Sequence, residues 1–160
     1  MKMNLTLLPG EGGIWLKEQQ VGELLAMNAE AGKYGLALTP AAAAEIVEER
    51  NRVLAGCGRV DLNVSVTKQL IASFSSSPFV QPEDYVPLLH DLHEVFYYLK
   101  NETEDTIGDA ELIAILKDAY ENTCRGDSEL LKGKIAAAIV ERFRTERRDV
   151  NCWGNEEADR

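Results

Sequence analysis

A chain of 160 residues, 45% hydrophobic and 28% charged, is long enough to bury one core unaided by disulfides or metal, and too apolar for intrinsic disorder. Its 27 acidic against 17 basic residues leave a net charge of -10, which excludes a general nucleic-acid or anionic-membrane binder, because phosphate contacts need a basic surface. Three cysteines, Cys57, Cys124 and Cys152, are odd in number and show no C-x-x-C spacing, so neither a disulfide framework nor a zinc site is indicated and reduced thiols are expected.

The start, MKMNLTLLPGEGG, is too short in apolar residues for a signal-peptide core, and no stretch reaches membrane length. A cytoplasmic protein without membrane contact is expected. Residues 1–13 read as an N-terminal extension, 14–148 as a single helical domain and 149–160 as a flexible tail.

Apolar residues recur mainly at helical spacing, which predicts an all-α bundle of about six helices. The first runs from about Ile14 to Ala31, with Val21, Leu24 and Leu25 inward and Gly32 as a left-handed stop. Thr39 offers an N-cap oxygen and Pro40 a pre-set first helical dihedral, opening a second helix through Ala43, Ile46, Val47 and Leu54 that Gly56 closes. In VDLNVSV, Val60, Leu62, Val64 and Val66 alternate with the strand period, while Val66, Leu70 and Phe74 fit a helix. This leaves room for one short two-stranded β pairing with YGLAL (Tyr34 to Leu38) before a third helix that starts between Asn63 and Thr67.

Pro78 and Pro82 bar helix continuation, and Pro82 suits the first position of a fourth helix. Asp109 is a candidate cap for a fifth helix carrying Leu112, Leu116, Ala119 and Tyr120. Asp127 or Ser128 is a candidate cap for a sixth, lined by Leu131, Ile135, Ile139 and Phe143. Apolar periodicity is lost after Arg148. Trp15 and Trp153 stand near the two ends, as candidates for packing and for a partner anchor.

The two histidines, His90 and His93, lie in the fourth helix. At about 100 degrees per residue, a face centred on Leu92 gathers Tyr85, Leu88, Leu89, Phe96 and Leu99. His90 then falls opposite and His93 toward the edge of the polar row, which favours a solvated pair. The alternative is a metal-binding protein or metal-dependent enzyme using His90, His93 and Glu94, with Asp91, a carboxylate of NETED or water as fourth ligand. That pattern matches neither H-E-x-x-H nor a repeated Glu-x-x-His, so no metal and no cofactor is favoured. Ser75 to Ser77 lack a nucleophile elbow. GEGG and GCG lack the strand and Lys-Ser/Thr of a phosphate loop. No catalytic residue is assigned.

Between Glu83 and Glu111 nine carboxylates accompany the single cation Lys100. An acidic helix face results, and Glu83, Asp84, Asp91, Glu94, Tyr97, Glu102, Glu104 and Asp105 are its candidate interaction residues, suited to a protein partner with a basic patch. Self-association and a ligand pocket between helices are compatible with the same pattern.

Four strings in order, YGLALTPAAAAEIVEERNRVL (34–54), GRVDLNVSVTKQLIASFSSSPF (58–79), FYYLKNETEDTIGDAELI (96–113) and CRGDSELL (124–131), resemble a family of small bacterial proteins, mainly clostridial, catalogued as a domain of unknown function. The resemblance spans roughly residues 20 to 145. It implies a bacterial cytosolic protein and carries no activity or site residue. A protein-interaction or accessory module is therefore the expected role.

Overall fold

The computed structural model describes the backbone of residues 11–158 and the side chains of residues 15–148. Six long helices, α1 (Glu11–Ala26), α3 (Pro40–Gly56), α4 (Ser65–Phe74), α5 (Tyr85–Glu102), α6 (Asp109–Asp118) and α8 (Ala136–Ala158), are joined by single turns that include α2 (Asn28–Ala31) and α7 (Ser128–Leu130). No strand occurs among the described residues. The helices pack mainly as sequence neighbours and next-neighbours, α1 on α3, α3 on α5, α4 on both α5 and α6. At the centre, α5 touches α3, α4, α6, α7 and α8.

Local chemistry explains several boundaries. The Thr39 hydroxyl accepts the Ala42 N–H at 3.1 Å and Pro40 opens α3, as the spacing predicts. The Asp127 carboxylate likewise accepts the Leu130 N–H at 3.1 Å and caps α7. Asp109, by contrast, is the first residue of α6 and caps nothing, since Gly108 occupies the cap position. Its charge sits instead at the positive end of the helix dipole. Pro82 opens a 3₁₀ turn (Pro82–Asp84), and α5 itself starts at Tyr85.

The first apolar stripe is interrupted at Met27, so α1 and α2 are two pieces, and Gly32 is right-handed at φ -60°. The left-handed residue is Gly35, φ 78°, which ends a 3₁₀ turn over Gly32–Tyr34. The break serves Asn28. Its side-chain amide donates to the Leu38 carbonyl at 2.9 Å and its oxygen accepts the Leu38 N–H at 2.8 Å, so one side chain satisfies both backbone groups that a paired strand would satisfy. The expected β pairing of YGLAL with VDLNVSV is therefore not formed. Leu36 and Leu38 bury, whereas Val60 and Leu62 point outward.

Two π turns, Ala119–Thr123 and Leu131–Ile135, lie at the junctions between α6 and α8. Between them, Arg125 (φ 51°) and Gly126 (φ 86°) reverse the chain, and Gly126 lies directly on Phe79. A Cβ there would stand 2.7 Å from that of Phe79. Phe79 in turn meets Tyr120 edge-on at 6.3 Å, and Tyr120 meets Phe74 at 5.4 Å, tying this junction to α4. The backbone of α8 runs on to Ala158, so the loss of apolar periodicity after Arg148 does not end the helix. Of the N-terminal extension expected at 1–13, residues 11–13 belong to the first turn of α1, and residues 1–10, like the side chain of Trp153, lie outside the described residues. Trp15 is 67% exposed rather than packed.

Phe96, fully buried on α5, should cost about 3–5 kcal/mol when cut to Ala, read by urea unfolding with a helix-dominated circular dichroism spectrum as the native baseline. Gly126→Ala combines backbone strain with overpacking against Phe79, and at least about 2 kcal/mol of destabilisation is expected in the same assay.

Candidate functional site

Three groups of polar residues carry whatever chemistry this fold offers: the histidines of α5, the buried donors facing the 57–64 loop, and the carboxylates from Glu83 to Glu111.

The wheel drawn around Leu92 underestimates how much of α5 is covered. Because α3 and α4 pack on α5, as do α6, α7 and α8, a second strip of α5 is buried, including His93, Tyr97 and Lys100. His93 is 0% exposed, not solvated. Its Nδ1 lies 2.7 Å from the Leu89 carbonyl, which can only accept, so Nδ1 carries the proton. Nε2 is then the acceptor, and the buried Thr67 hydroxyl donates to it at 2.7 Å, joining α4 to α5. Burial, reinforced by repulsion from Arg50, lowers the His93 pKa to about 4. His90 stays at the rim with Nε2 3.5 Å from a Glu45 carboxylate oxygen, too long for a good hydrogen bond.

Glu94 turns away from both histidines, to Arg52 at 3.2 Å and Lys132 at 3.4 Å, and Asp91 holds Lys132 at 2.8 Å and accepts from Ser128 at 2.7 Å. The proposed metal set of His90, His93 and Glu94 is thus not brought together, and both nitrogens of His93 are already engaged by protein groups. Among the described residues no group of three or more His, Cys, Asp and Glu side chains is placed to hold a metal ion.

The acidic face is largely bound internally. Arg144 meets Glu102 at 2.8 Å, Arg147 meets Glu104 at 3.2 Å, and Arg59 grips Asp105 with two donors, the closer at 2.6 Å. That grip holds the Asp105 carboxyl below its usual range. Lys100, buried along its stem, pairs with Asp109 at 2.8 Å and donates to the Ile107 carbonyl at 2.8 Å. Glu104 and Asp105 stand side by side at φ 54° and 57°, a left-handed turn that these contacts hold. Tyr97 is buried under the Arg59 guanidinium, 5.8 Å from the ring centre, and burial pushes its phenol to about 12. Of the eight expected interaction residues, Tyr97 is therefore core, and five carboxylates are ion-paired. Glu83 and Asp84 have no cation within 4 Å among the described residues.

The third group was not anticipated as a site. Arg50 on α3 is 1% exposed. It donates to Asn51 Oδ1 at 2.7 Å, to the Asp61 carbonyl at 2.7 Å and to the Asn63 carbonyl, with the Asp61 carboxylate 3.9 Å away. Gln20 of α1, also buried, donates to the Leu62 carbonyl at 2.8 Å, and Asn101 of α5 to that of Cys57 at 3.0 Å. Interior donors from α3 and α1, with the exposed Asn101 of α5, thus hold the carbonyl row of one loop. Two of its aliphatic side chains face water, Val60 at 89% and Leu62 at 66% exposure, while Val64 at its end is buried. The signal was present on the stripe Ala43, Ile46, Val47, Arg50, Leu54, where a charged residue occupies a core position.

Folding keeps His93 neutral, so its contribution is complete above the unfolded pKa near 6.5 and is lost as the pH falls toward about 4. Between pH 7 and 5, before carboxylates protonate, the protein should lose roughly 2 kcal/mol of unfolding free energy through this residue. His93→Leu should flatten that slope, as measured by urea titrations across the range.

A family model described as a family of unknown function, DUF6323, matches residues 23–149. No curated protein and no solved structure matches the chain. No described helix is long and apolar enough to cross a membrane. The match takes in α3 to α7 whole, with the buried arginine, the histidine of the core and the loop they border, and the chain belongs to the DUF6323 family of unknown function.

Proposed function

We propose that this is a small cytoplasmic bacterial accessory protein that acts by binding another protein, and that the loop from Arg59 to Asn63 is part of the surface it offers. The observation that carries the reading is the orientation of Val60 and Leu62. A flexible loop would fold its aliphatics inward, since burying a Val or Leu is worth roughly 1.5–3 kcal/mol. Here the reverse is built in. Desolvated donors of Arg50 and Gln20 hold the backbone, an arrangement that uses a buried guanidinium to keep two apolar side chains in water.

Charge gives the partner a sign. Internal ion pairs consume acids and bases equally, so the excess of -10 remains and falls on carboxylates such as Glu83 and Asp84. A partner with a basic patch would be steered to this surface, with association that slows as salt rises. Free Cys57 and buried, free Cys124 suit a reducing compartment.

The test is a paired substitution, Val60→Ser with Leu62→Ser, carried in the full chain. The melting temperature is expected to stay within about 2 °C, because both residues are already exposed. Retention of a partner identified by crosslinking in a native host is expected to fall at least about tenfold, the scale of losing about 1.4 kcal/mol of contact. Unchanged retention of that partner would remove the loop from the binding surface.

A further inference from the structure

A groove of about 310 Å³ lies between α6 and α8, away from the 57–64 loop. Its apolar lining is Ile107, Ile115, Ile139 and Phe143. Ile115, Ile139 and Phe143 are only partly buried, although each packs on the core with its inner side. Along one wall Glu111 and Ile115 stand one turn apart on α6, with Ile107 in the turn before it. Along the other Ile139 and Phe143 do the same, with Glu146 one turn on. Steps of three and four keep residues on one side of a helix, so α8 presents an apolar stripe ending in a carboxylate, and α6 presents Ile115 beside Glu111. The α8 wall from Ile139 to Glu146 is about 11 Å long at 1.5 Å per residue, which is two helical turns.

The charges of the groove do not balance. Arg142 turns to Glu146 on its own helix, 3.2 Å away, leaving Glu111 on the facing wall with no cation within 4 Å among the described residues. An occupant that filled the apolar floor would bring Glu111 out of bulk water, and a carboxylate losing its hydration needs a cation in return. The two walls and the uncompensated acid together define what would fit.

We infer that this groove is a second binding surface, for an amphipathic helix of a partner protein whose apolar stripe lies on Ile115, Ile139 and Phe143 and whose flanking lysine or arginine meets Glu111. Helix-in-groove recognition uses anchors at i, i+4 and i+7, the spacing that two turns of wall can receive. The inference rests on the reading of the chain as a protein-binding module, but on residues that the 57–64 loop does not share.

The experiment uses the full chain and two labelled synthetic peptides, identical amphipathic helices with leucines at i, i+4 and i+7, one flanked by lysines and the other by glutamates, with binding read by fluorescence anisotropy at low salt. The wild-type chain should bind the lysine peptide about tenfold more tightly than the glutamate peptide, the scale of one favourable charge pair of about 1.4 kcal/mol. Glu111→Lys should reverse that order. Ile139→Asp should weaken both peptides at least about tenfold while circular dichroism shows the fold intact, and Phe143→Ser is the second variant should Ile139→Asp fail to fold. Equal binding of the two peptides, no binding at all, or an order unaffected by Glu111→Lys overturns the inference. So does a concentration-dependent dimer in sedimentation that Ile139→Asp abolishes, since the groove would then hold a second copy. Any of these results beside partner retention that still depends on Val60 and Leu62 retires the groove alone. Loss of loop dependence with the peptide order intact retires the loop instead.

Discussion

A guanidinium taken out of water must find oxygen atoms within reach of its donors, and Arg50 finds them on a loop that is distant from it in sequence. That one requirement couples α3, α1 and the 57–64 segment. The Asp61 and Asn63 carbonyls are fixed by the arginine and the Leu62 carbonyl by Gln20, so the segment has no freedom to become a strand or to lay Val60 and Leu62 on the core. The chain beyond it must then turn at Asn63, whose side-chain oxygen accepts the Ser65 N–H at 3.0 Å, and this turn sets the direction in which α4 leaves.

From α4 the constraint passes to α5 through Thr67 and His93. A neutral imidazole with a fixed tautomer is a directional bridge: one nitrogen bound to its own helix through Leu89, the other receiving the Thr67 hydroxyl. Arg50 bears on it from α3, since a nearby guanidinium further disfavours the imidazolium. The same central helix then anchors the strained acidic turn through Lys100. Its ammonium reaches Asp109 and the Ile107 carbonyl, and so positions the start of α6 and the mouth of the groove between α6 and α8. Both surfaces read here as partner-binding thus hang from polar residues of the interior, not from the aliphatic core alone.

The ion pairs explain why a dense run of carboxylates does not make an open acidic face. Basic residues of other segments, Arg52, Arg59, Lys132, Arg144 and Arg147, come from before and after the run and neutralise it on contact. Most of these pairs are exposed and individually weak. Their common effect is to set where charge remains, at Glu83, Asp84 and Glu111, and hence where a basic partner would be drawn.

What the sequence determined by itself was the helical class, the apolar stripes and those boundaries whose signals are complete within four residues. Thr39 with Pro40 and Asp127 with Leu130 are of this kind, because an N-cap bond closes inside the turn it starts. Tertiary structure decided the rest. A wheel drawn for α5 assumes one covered side, whereas the helix is covered on two, so His93 and Tyr97 moved from the polar row into the core. The alternation of VDLNVSV was real, but strand formation needs a partner with free backbone groups, and Asn28 had already satisfied those of Leu38. The arginine in the stripe of α3 was visible as an oddity, yet its acceptors lie 11 and 13 residues away on a loop without periodicity. Local patterns report which side of an element is apolar; which polar side chains are enclosed, and by what, depends on neighbours that only the packed chain brings together.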